Sequence, residues 1–323
     1  MTPRGQTALL LLVTAAVALV SISTGSVDIA PGKVFTSLFD SADDPAALVV
    51  RELRLPRLLA AFTVGALLAV AGALLQVLLR NPLADPYILG VSGGAAVATL
   101  TAMLLGAAGA WLGGSAIVGS LVSVLLVFGL SRYGHGNAQL RLLLTGVIVA
   151  AGWGALISLL LSLSSTRQLH GMLFWLMGDL AGTELPIAAI VVLALGSAVA
   201  WRFGRALNLL ARGESFAAAL GENPATLRTV IYFLASILTA TAVSLAGSIG
   251  FVGLVVPHLL RLAGSTDHRW LIPQCVLLGG SFLVLADTLA RTVVAPQQLP
   301  VGVITALVGV PLFLYLLIRS DKL

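Results

Sequence analysis

Few side chains in this chain could make or break a bond, and their spacing suits no such chemistry. The four histidines, His135, His170, His258 and His268, fall in separate segments without the spacing a metal site needs. Asp43 and Asp44 sit together in a loop with no partners nearby. Cys275 is the single cysteine and lies in an apolar run, so neither a disulfide framework nor a cysteine-based metal site can form within one chain. A small buried residue is the plain reading of it. Asp287 is the main acid inside an apolar stretch, four residues before Arg291, which is the spacing of a helical ion pair. A membrane-embedded hydrolase or prenyl transferase would need paired acids, a Ser/His or Ser/Lys set, or a metal cluster. A proton- or sodium-coupled carrier would need intramembrane carboxylates or broken-helix ion sites. There is no Walker-type glycine loop. No catalytic residue, cofactor or metal site is expected, and any uphill work must draw its energy from another subunit.

The elements that carry these residues are apolar. Of 323 residues 59% are hydrophobic and only 10% charged, and the mean hydropathy is +1.05. A soluble domain carries about a quarter charged residues. Apolar stretches of roughly 20 residues recur from end to end, which predicts an all-α polytopic membrane protein, one transmembrane domain over residues 1–323. Candidate spans are 7–24, 57–79, 87–108, 113–131, 141–163, 186–203, 227–247, 249–263, 271–291 and 301–318. The first of them, behind Arg4, has the basic start and apolar core of a signal peptide; with further spans following, it reads as a retained helix.

Ten spans place both termini on one side. With that side cytoplasmic, 12 of the 18 Lys and Arg lie inside and 6 outside, as the positive-inside rule requires. The net charge of +5 is therefore an orientation signal and not a nucleic-acid one. The exceptions are informative. Three outer cations cluster in "RELRLPR" (51–57), and a fourth, Arg291, ends another span on the same side. Two readings stand: interfacial snorkelling, or a docking patch for an acidic partner.

On the inner side, "RNPLADPYILGVSGGA" (80–95) breaks two apolar runs with polar groups and two prolines. The inner loop 204–226 is mildly amphipathic, with Gly213, Gly221 and Pro224 as breakers, so one short helix at the inner surface is expected. It reads either as a connector or as a contact for a cytoplasmic protein. Small residues in "VGALLAVAGALL" (64–75) and "GAAGAWLGG" (106–114) suit close helix packing. A weak echo between 57–76 and 228–247 suggests an inverted repeat of five plus five spans.

The segments 53–95, "AAALG" (217–221), "GFVGLVVPHLLRLAGSTDHRWLIP" (250–273) and "LADTLARTVVAPQQLPVGVITALVGVPLFLYLL" (285–317) closely resemble the FecCD-type permease subunits of ABC importers for cobalamin, haem and ferric siderophores. The resemblance covers nearly the whole chain in the right order. It implies the type II importer permease fold. It also implies a homodimer in the bacterial inner membrane over two cytoplasmic ATPase subunits, which carry out the ATP hydrolysis, fed by a periplasmic substrate-binding protein. It assigns Arg54, Arg57 and Arg291 to docking of the binding protein. The positions Ala217, Leu220 and Gly221 match the element that contacts the ATPase. Asn81 and Leu83 match a cytoplasmic gate, with a second gate element around Asn137, Ala138 and Gln139. The expected cargo is a metal chelate, a ferric siderophore or haem first and cobalamin next. A channel or structural membrane protein without ATPase coupling is the alternative.

Overall fold

The computed structural model describes residues 2–25, Gly32, Ser37, 45–133 and 138–320; every element among them is helical. Helix α1 spans Pro3–Ser23 and α2 spans Leu55–Leu78. α2 is apolar on every face, and a helix of that kind must be buried. Accordingly it forms the axis of the bundle, enclosed from Ala60 to Leu78 almost without interruption. Pro56 starts it, at a position where the missing N–H costs nothing. A π-helical stretch, Val49–Arg54, leads into it from a single turn at Pro45–Leu48.

The remaining helices are α3 (Val91–Leu104), α4 (Ala110–Ser131), α5 (Ala138–Leu163), α6 (Thr166–Met177), α7 (Ile187–Arg202), α8 (Gly204–Ala211), α9 (Glu214–Ala219), α10 (Pro224–Ala246), α11 (Val252–Leu262), α12 (His268–Thr292) and α13 (Val301–Ser320). α2 packs on α10, α11 and α12, while α3 packs on α4 and α5. Glycines set how closely α2 approaches its neighbours. A Cβ on Gly65 would collide with the carbonyl of Gly279 in α12, and one on Gly72 with that of Gly253 in α11. The stripe expected at 64–75 is therefore a packing surface. The glycines of 106–114 are not: three of the four have open space around them, and Gly106 and Gly109 instead take positive φ in the turn between α3 and α4.

The expected ten spans are met in part. Among the described residues, six helices are long and apolar enough to cross a membrane, or seven if α7 and α8, which meet at a 60° bend, count as one. α3 and α11 are too short. With 11 residues, α11 reaches about 16 Å, against a hydrocarbon core of about 30 Å. The chain shortens it by unwinding at 247–251, where Gly247 and Phe251 take left-handed φ values of 69° and 70°. The freed backbone is satisfied from neighbouring segments: Asp179 N donates to Ala246 O at 2.9 Å, and Ile249 N to the Tyr87 hydroxyl at 2.8 Å. Two corrections concern the connections. His170 belongs to helix α6, on its exposed side against Phe174, and not to a loop. The loop after α7 holds two short helices, α8 and α9, because Gly213 at φ 126° breaks the run. Cys275 is fully buried in the core, as a small apolar residue.

Candidate docking, gating and coupling sites

Both ends of the bundle bring sequence-distant polar residues together. At the end formed by the start of α2 and the close of α1 and α12, Arg54, Arg57 and Arg291 converge. Arg57 Nε lies 3.0 Å from each carboxylate oxygen of Asp287, and its Nη2 donates to Oδ1 at 2.8 Å. Asp287 is only 2% exposed, so this two-pronged contact supplies the partner a buried carboxylate requires. Arg57 Nη1 also donates to Gln298 Oε1 at 2.7 Å. The i,i+4 partner foreseen for Asp287 is secondary, since Arg291 Nε is 3.8 Å from Oδ2 and makes no hydrogen bond there.

Arg291 and Arg54 turn to the end of α1. Arg291 Nη2 donates to the carbonyl and, at 2.9 Å, to the hydroxyl of Ser21. Arg54, 5% exposed, donates through Nη1 to Ile22 O at 2.8 Å and Ser23 O at 3.1 Å. The last carbonyls of a helix have no partner within it and carry partial negative charge, so two guanidinium groups close α1. The three arginines therefore have structural partners whatever else they contact. They border a cleft of about 670 Å³ that also receives Arg51, Glu52 and Glu184.

At the opposite end, the chain leaves α2 through Arg80, which holds a left-handed φ of 47°. Asn81 Oδ1 accepts from Leu83 N at 2.9 Å and fixes the turn locally. Asp85 then caps the short helix Pro86–Leu89 by accepting from Tyr87 N at 2.9 Å. Leu83 is 40% exposed. The start of α5 is clamped to this turn by Gln139. Its Oε1 accepts from Arg80 Nη2 at 2.6 Å and Nε at 3.1 Å, while its Nε2 donates to Leu78 O at 3.1 Å. The two expected gate elements are thus adjacent, and Gln139 is the buried fastening between them. Asn137 lies outside the described residues, and of Ala138 only the backbone is described, as the first residue of α5.

Beside them lies α9. Gly221 at φ 87° ends it: Gly221 N donates to Ala218 O and Glu222 N to Ala217 O, a Schellman closure. Ala217 is buried, whereas Leu220 and its neighbour one turn back, Phe216, are 57% and 42% exposed. Glu214 ties α9 to α10 through Arg228 at 2.9 Å. α8 is held to α12 by Asn208, which donates to Asp267 Oδ1 at 2.8 Å and accepts from His268 N at 2.9 Å. The Arg269 guanidinium beside Asp267 holds that carboxyl well below the usual carboxylate range.

Phe216 and Gln76 are the residues that reading the sequence passed over. Pro257 removes the N–H that would bond the carbonyl of Gly253 inside α11. Gln76 Nε2 supplies a substitute donor at 3.3 Å, and its Oε1 accepts from Arg261. A lone glutamine late in an apolar span, opposite a proline-interrupted helix, was the available signal.

The arrangement defines a helical membrane subunit with polar machinery at both ends of an apolar bundle. Residues 10–319 match the FecCD transport family. The chain is 41% identical to the hemin transport system permease protein HmuU of Yersinia pestis, covering 99% of this chain and 97% of that one. It is 40% identical to the vitamin B12 import system permease protein BtuC of Escherichia coli, covering 94% and 92%. A solved metal-chelate type ABC transporter in an inward-facing conformation superposes with a TM-score of 0.87 at 34% identity, covering 97% of this chain and 98% of that one. The chain belongs to the FecCD transport family, whose members are membrane permeases.

Proposed function

We propose that this protein is the membrane subunit of a binding-protein-dependent ABC importer for a metal chelate, working as a homodimer over two ATPase subunits. The observation that carries the reading is the family match along residues 10–319. The site geometry supports it. α9 presents Phe216 and Leu220 outward as an apolar contact for a cytoplasmic partner. The turn at Asn81 and Leu83, fastened to α5 by Gln139, is the gate element, with two copies meeting across the dimer axis. The opposite cleft, bordered by Arg54, Arg57 and Arg291, receives the binding protein. Both termini lie in the cytoplasm, as the distribution of Lys and Arg favours. α5 exposes Leu144, Val147, Ile148 and Leu156 along an apolar face fit to meet a second copy or the cargo path.

The cargo is a ferric siderophore, haem or cobalamin; relatives of similar identity are named for haem and for vitamin B12. Uptake of labelled haem, ferric siderophore and cobalamin into vesicles carrying the complete complex tests the proposal. ATP-dependent accumulation of one of them supports it. ATP-independent flux of all three would favour a channel.

A further inference from the structure

Between the ends of α2, α4, α5 and α10 lies a pocket of about 290 Å³, beside the gate turn. Three arginines line it, Arg132, Arg141 and Arg228, and no acid does. Two of them have protein partners. Arg228 binds Glu214 at 2.9 Å, and Arg132 lies over the Phe128 ring at 4.3 Å from its centre. Arg141 is different: its Nε and Nη1 are shielded from solvent, and among the described residues no group accepts from either. The other polar groups in the pocket wall are engaged. Gln139 is held by Arg80 and Leu78, and the Tyr232 hydroxyl donates to Val124 O at 2.8 Å.

A guanidinium with two shielded, unpartnered N–H groups carries a desolvation cost that only an acceptor can offset, and a full charge requires a charged one. Its fork geometry suits the oxygens of a phosphate. The geometry points to a binding site for a phosphate-bearing anion, held by Arg141 and Arg132. The surroundings favour the headgroup of an anionic phospholipid. Leu126 and Leu130 are exposed on the stretch of α4 that leads to Arg132 and offer apolar flanks for acyl chains. Basic pockets between helices at the cytoplasmic side are the common form of such a site.

The test uses the full-length chain purified in detergent, titrated with phosphatidylglycerol, with phosphatidylcholine and with millimolar inorganic phosphate. Retained lipid is read by native mass spectrometry and stability by thermal melting. Phosphatidylglycerol should be retained and stabilising, and phosphatidylcholine should be neither. Arg141→Gln should weaken retention roughly tenfold, the loss of one charge-assisted contact, whereas Arg205→Gln, on the exposed side of α8, should not change it. Arg141→Lys should restore part of the affinity. If inorganic phosphate displaces the lipid and stabilises equally well, the phosphate site stands and its occupant is the free ion. If Arg141→Gln fails to fold, Arg132→Gln carries the same comparison. Equal retention of both lipids with no response to phosphate, or a folded arginine variant indistinguishable from wild type, overturns the assignment.

Discussion

Arg57 and Asp287 lie 230 positions apart and meet through two guanidinium nitrogens on one buried carboxylate. The contact locks the start of α2 to the end of α12. Removing one partner strands the other charge, which costs roughly 3 kcal/mol or more, while removing both is far milder. Asp287→Leu and Arg57→Leu should each lower the melting temperature sharply, and the double variant should recover most of the loss. Additive losses would show that the two do not act as a pair.

The double variant also gives a clean docking test, because Arg57→Glu alone would disturb the fold. If the cleft bordered by Arg54, Arg57 and Arg291 receives an acidic partner, Arg57→Leu with Asp287→Leu should keep the fold but weaken association with the binding protein. The deficit should be larger at low salt, where charge attraction is least screened. Binding unaffected at low ionic strength would remove Arg57 from the interface.

Leu83 should sit at a moving constriction. With Cys275→Ala in place of the only native thiol, Leu83→Cys should cross-link between the two copies in one nucleotide state and resist in the other. Nucleotide can shift such a gate only by binding its two states unequally. A yield independent of ATP would reduce the turn to a connector.

Gly221→Val should uncouple transport from ATP hydrolysis. No neighbour crowds a Cβ there, so the obstacle is φ 87° itself, which costs a β-branched residue about 1–2 kcal/mol. The strain unwinds the end of α9 and moves Leu220, without touching the core. ATPase activity should persist while uptake falls; wild-type uptake would remove α9 from the coupling path.

Gln76→Leu preserves shape but strips the substitute donor from Gly253 O and the acceptor from Arg261. A loss of about 1–3 kcal/mol follows for an unsatisfied buried group, read as a lower melting temperature. A neutral result would mean water replaces the amide.

What could be read in the sequence was whatever depends on local pattern. The mostly apolar run at 57–79 read as a membrane helix, and it is the central one. Gly221 had to end a short helix, and it does. Arg54, Arg57 and Arg291, singled out as surplus cations expected on one side, do converge. What could not be read depends on partners far along the chain. No local spacing says that Arg57, rather than Arg291, holds Asp287. The eighth span, 249–263, already read as short from its length; what the sequence did not show is that residues 247–251 unwind, because that depends on an acceptor from Tyr87 and a donor from Asp179. Gln76 became legible only once Pro257 lay opposite it.

The closure of α1 has a consequence for how the protein is made. Apart from the contact with Arg54, the polar fastenings of α1 reach far forward. Gln6 meets Ala263 and Ser265, Thr14 meets Ser281 across 267 residues, and Ser21 meets Arg291. At ribosomal speeds of about 5–20 residues per second, the partners of the first helix emerge on the order of tens of seconds after it. During biogenesis α1 therefore waits in the bilayer with Arg54 as its one early fastening, its Ser21 carbonyl still uncapped, and it is stapled down along its length only when α12 is threaded in. A nascent chain stopped before residue 265 should leave α1 open to extraction and proteolysis, while one released after residue 292 should not.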